Sequence, residues 1–78
     1  MFYADNHCEY EEQMEPEHVY IYTGPDLITG TPVSVTVKAS ELFKYRQGAL
    51  IQNALISNTP DEREFLISGI SDMDSLPF

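Results

Sequence analysis

The sequence predicts a small α+β domain in which an antiparallel β-hairpin is followed by two short helices, in the order ββαα. Three stretches carry this expectation: PVSVTVK at 32–38, HVYIYT at 18–23, and the helix start Thr59-Pro60-Asp61-Glu62. A chain of 78 residues supports one domain and buries a thin core, so no large catalytic cleft is expected in it.

The first 17 residues form an acidic leader. They hold Asp5, Glu9, Glu11, Glu12, Glu15 and Glu17 and no Lys or Arg, which places −6 of the net −9 there. Phe2, Tyr3, Tyr10 and Met14 interrupt the acids. The composition fits either a disordered solvating tail or a segment that docks on a basic, partly apolar surface.

The folded unit is expected over 18–71. His18–Thr23 is β-branched and aromatic, which favours a strand. Val19 and Ile21 fall on one face, and His18, Tyr20 and Tyr22 on the other. The two tyrosines are read either as an exposed, polar-ringed patch suited to a partner or as packed against the leader or the helices. GPDLITGT at 24–31 makes a turn or long hairpin loop. In the second strand Val33, Val35 and Val37 alternate with Ser34, Thr36 and Lys38, the pattern of a half-buried strand. Antiparallel pairing of the two runs is the simplest topology.

Ser40 is a suitable N-cap, with Glu41 in the first helical turn where a negative charge complements the helix dipole. The helical stretch ELFKYRQGALIQNAL contains Gly48, where a kink or a break is expected. Thr59 can cap the last helix, Pro60 suits its first position, and Glu62 can reach back to close a capping box. Gly69 offers a stop, so a helix is predicted over 60–68. Residues 72–78 read as a loose tail.

Chemistry finds little footing. Cys8 is the only cysteine, so no intrachain disulfide is expected. His7 and Cys8 are adjacent, and adjacent side chains usually diverge. His7, Cys8, Glu11 and His18 lack the spacing of a metal site. The glycines make no phosphate-cradling motif. No catalytic, cofactor-binding or metal-binding residue is therefore expected, nor any cofactor, and the chain is read as a non-enzyme. There is no apolar run of membrane-spanning length and no signal-peptide pattern, so the cytoplasm is the expected location.

The C-terminal half resembles a family of small proteins encoded by bacteriophages and other mobile elements. YRQGALIQNAL at 45–55 and REFLISGI at 63–70 carry the resemblance. The chain departs from that pattern in lacking a proline directly after Leu55 and in the sequence of its end, SDMDSLPF. The resemblance implies a phage-type protein but brings no activity and no functional residues. Its shared apolar residues Leu50, Ile51, Leu55, Phe65, Leu66 and Ile70 are what two packed helices need.

The charge then directs the functional expectation. A net −9 repels nucleic acid and anionic membranes and attracts basic surfaces. The expected role is an inhibitor of a host nucleic-acid-binding protein, of the anti-CRISPR or other counter-defence kind, acting as a nucleic-acid mimic through an acidic face. Glu9, Glu11, Glu12, Glu15 and Glu17 are the candidate contacts, with Tyr20 and Tyr22 as anchors. The alternative is a structural or adaptor module of a phage complex, including a homo-oligomer joined through strand edges.

Overall fold

The computed structural model describes residues 2–70; the tail expected at 72–78 lies outside them. The elements run α1 (Phe2–His7), β1 (Glu9–Gln13), β2 (Val19–Pro25), β3 (Pro32–Lys38), α2 (Ala39–Arg46), α3 (Ile51–Ala54) and α4 (Pro60–Ser68). The α+β class and the hairpin-then-helices order are present in β2 to α4. The acidic leader is built into the domain, adding a helix and a strand ahead of that unit.

The sheet is antiparallel with order β1-β2-β3. Tyr22 stands opposite Val35 and Tyr20 opposite Val37, so these four side chains share a face with Val33. Val35 and Val37 are fully buried, as the alternation of β3 requires. On β2 the wet face is therefore the other one: Val19 and Ile21 lie on the open side of the sheet. Tyr22 turns inward and is 3% exposed, and Tyr20 is half-buried against the same core. Reading Tyr20 and Tyr22 as an exposed patch is corrected to their alternative, packing against the leader and helices.

The leader contributes part of the reason. Tyr3 and Ala4 enter the core from α1, and the Tyr3 ring meets Phe65 edge-on at 5.5 Å. The Tyr3 hydroxyl donates to the Pro25 carbonyl, fastening α1 to the end of β2. Tyr10 on β1 stands opposite Tyr22, with ring centroids 5.9 Å apart. Aromatic cross-strand pairs of this kind stabilise a sheet by up to about 1 kcal/mol, which offsets the low strand preference of the glutamates around Tyr10.

The helices follow local signals except at one start. α2 begins at Ala39 behind Lys38 with no side-chain cap, so Ser40 lies inside the helix and is not its N-cap. Glu41 is buried instead of lying on a solvated first turn. Its carboxylate accepts from the Ser57 backbone N–H at 3.1 Å and from the Ser57 hydroxyl, tying α2 to the link between α3 and α4. The expected break occurs at Gly48, whose φ of 109° lies in the left-handed region. Leu50 beyond it is 63% exposed, so it is not a core residue, whereas Leu55, Phe65 and Leu66 are fully buried.

α4 has the expected bounds and the expected capping box. Thr59 Oγ1 accepts from the Glu62 N–H at 3.1 Å, and the Thr59 N–H donates to Glu62 Oε1 at 2.9 Å. Gly69 ends the helix with its N–H on the Phe65 carbonyl. Arg63 Nη1 donates to the Leu55 and Asn58 carbonyls, closing the end of α3.

Candidate functional site: an acidic edge and an aromatic cleft

β1 is an edge strand, and all five of its residues are exposed. Its pairing fixes where each acid points. Glu9 and Glu11 stand opposite Thr23 and Ile21 and share the open face of the sheet. Glu12 stands opposite Tyr20 and points to the helix side. Glu15 and Glu17 follow in the turn to β2, and Glu17 lies 3.5 Å from Lys38 Nζ. The expected single acidic face is thus an acidic edge: one strand and its turn, with carboxylates on both sides of the sheet.

Glu12 is the structured member of the set. Its Oε2 lies 2.6 Å from His18 Nε2 and accepts from the Tyr20 hydroxyl at 3.1 Å. The His18 hydrogen bond, followed by that of Tyr20, holds the Glu12 carboxyl below its ordinary value. The same arrangement works against a phenolate at Tyr20, whose pKa is raised first by burial and then by its bond to Glu12.

Behind this edge a cleft of about 320 Å³ opens between α1, β1, β2 and α2. Tyr10, Tyr20, Tyr22 and Phe43 supply its aromatic walls, with Asp5 and Arg46 on its lining. The Tyr10 and Tyr20 rings meet at 62° with centroids 6.1 Å apart. His18 continues the aromatic wall, 5.3 Å from Tyr20 and 6.3 Å from Phe43. Arg46 Nη2 lies 3.6 Å from Asp5 Oδ1. Burial raises the Tyr22 pKa, and the neighbouring Arg46 guanidinium pulls against that rise.

No family model, curated protein or solved structure matches this chain. The site must therefore be read from its own chemistry.

The structure brings Tyr20 and Tyr22 together with Tyr10 at the cleft, joins Glu12 to them through the Tyr20 hydroxyl, and sets Glu9 and Glu11 apart on the open face. Sequence reasoning missed Asp5, Phe43 and Arg46 as cleft residues. Their joining depends on α1 docking on α4 and the end of β2, which carries Asp5 to within 3.6 Å of Arg46, and FYADNH carries no sequence signal for that contact. Three other carboxylates are committed to the fold: Asp26 accepts from the Ile28 and Thr29 N–H groups, Glu41 holds Ser57, and Glu62 closes the capping box. The Cys8 thiol has its pKa raised by burial, which opposes thiolate chemistry. Among the described residues no group of three or more His, Cys, Asp or Glu could hold a metal ion, and no helix is long and apolar enough to cross a membrane.

Proposed function

We propose that this chain acts by binding, as a phage-type inhibitor that covers the basic nucleic-acid site of a host protein in the host cytoplasm. The observation that supports this most is the acidic edge: an exposed strand and turn carrying five of the six leader carboxylates. Glu9 and Glu11 lie two residues apart on one face, about 7 Å by strand geometry, a spacing close to that of successive phosphates along a nucleic-acid strand. A rigid strand presents such charges with less ordering cost than a disordered tail. Carboxylates in place of phosphates would speed encounter with a cationic groove and make it salt-sensitive. The resemblance of 45–55 and 63–70 to phage-encoded proteins favours counter-defence, of the anti-CRISPR kind among others.

The outer edge of β1, which no strand among the described residues pairs, also favours a second reading, an adaptor or self-assembling module of a phage complex joined by strand addition. Like charges facing each other across two copies of this edge oppose homo-oligomers, so a basic partner strand suits it better.

The test is capture from host lysate on the immobilised full chain, with elution by duplex DNA or by about 0.5 M salt, where screening shortens to a few ångströms. The proposal expects a basic nucleic-acid-binding protein that elutes under both conditions. It also expects capture to be lost when Glu9, Glu11, Glu15 and Glu17 are all changed to Gln. Capture of phage components alone, indifferent to salt, would favour the adaptor.

A further inference from the structure

The aromatic cleft sits beside the acidic edge but is not accounted for by charge mimicry. Its volume of about 320 Å³ lies at the lower end of ligand pockets, suited to one side chain and not to a folded ligand. Its walls are ring faces and edges from Tyr10, Tyr20, Tyr22 and Phe43, and its lining includes the carboxylate of Asp5. Tyr10 and Phe43 are 66% and 47% exposed, so two of these rings are reachable from solvent. Aromatic faces with adjacent carboxylates attract cations, and a guanidinium suits them best because it stacks flat on rings while pairing with an oxyanion. The chain already displays this chemistry at the same place, where Arg46 lies 3.6 Å from Asp5 and beside Tyr22.

We infer that the cleft is an arginine-side-chain receptor, into which a guanidinium of the partner inserts between Tyr10 and Phe43, competing with Arg46 for Asp5. This deepens the proposed function and rests on its reading that the partner surface is basic. The acidic edge would provide long-range attraction, and the cleft would fix the register of docking by taking up one arginine. Arg46 then acts as a built-in competitor that weakens the site.

NMR titration of the full chain tests this, with ethylguanidinium as the probe, ethylurea as its neutral counterpart of similar shape, and inorganic phosphate as the anion control. The expected result is a saturable shift of the Tyr10, Tyr20 and Phe43 ring signals with ethylguanidinium alone. Y10A, at an exposed position, should weaken that affinity about two- to five-fold, the range of one exposed cation–π contact. R46A should strengthen it. Equal shifts with ethylurea would reduce the cleft to an apolar slot and overturn the inference. A phosphate response abolished by R46A would make it an anion site and overturn it equally. Because the probes are small molecules, a failed capture experiment leaves this result untouched. A cleft indifferent to ethylguanidinium overturns the inference and leaves the acidic-edge proposal standing.

Discussion

Glu12 Oε2 and His18 Nε2 stand 2.6 Å apart, bridging the start and end of the turn that joins β1 to β2. A carboxylate can only accept, so the proton between them belongs to His18 Nε2. The bond holds the N-terminal edge strand to the rest of the sheet at the end where the leader charges concentrate.

The depressed Glu12 pKa has a defined consequence for stability. A group titrating lower in the folded than in the unfolded state contributes stability that is complete above its ordinary value of 4.5 and is lost as pH falls through the folded value. Denaturant unfolding of the native chain and of E12Q should show a stability gap at pH 7 that closes as the pH is lowered below about 4.5. A gap independent of pH would contradict the role of ionised Glu12.

Gly24 marks a close approach. A Cβ on Gly24 would stand 2.6 Å from Cys8 Sγ, where α1 hands over to β1. G24A should cost about 1–3 kcal/mol through overpacking. Adding C8A should recover most of that cost, measured as a double-mutant cycle. A cost unchanged in the C8A background would mean that the thiol is not what Gly24 avoids.

The capping box of α4 gives a local test. T59A removes the acceptor of the Glu62 N–H and should cost about 1 kcal/mol. For a domain of this size that lowers Tm by about 4–8 °C, readable by thermal denaturation.

The leader's place in the core predicts that a chain beginning at His18 does not fold to the native state. It would lose Tyr3 and Ala4 from around Phe65 and Tyr10 from beside Tyr22. Near-ultraviolet circular dichroism should show the fixed aromatic signal of the full chain collapse in the shortened one. Retention of that signal would make the leader dispensable to the fold.

How much of this was legible follows from where each signal resides. The α4 cap and the β3 valines are local patterns, and both are realised as expected. β2 was legible as a strand but its orientation was not, because both its faces are apolar or aromatic and the alternation carries no polarity. Tyr22 turns inward on the strength of Val35, Tyr10 and the helix side, contacts distant in sequence. β1 was hidden because EYEEQ offers one aromatic among acids, and its pairing depends on Tyr20 and Tyr22 opposite. Glu41 looked like a dipole partner because Ser57, its actual partner, lies 16 residues away. The acidic candidates were found by composition, but their division between two faces of β1 is a matter of register, and the cleft required the docking of α1.

The central claim is that carboxylates of the edge take the place of phosphates on a basic partner. Displacement of a labelled duplex from the captured partner tests it most directly. The account predicts one-for-one release of DNA by the full chain, abolished when Glu9, Glu11, Glu15 and Glu17 are changed together to Gln. A stable assembly holding this chain and the duplex at once would contradict it.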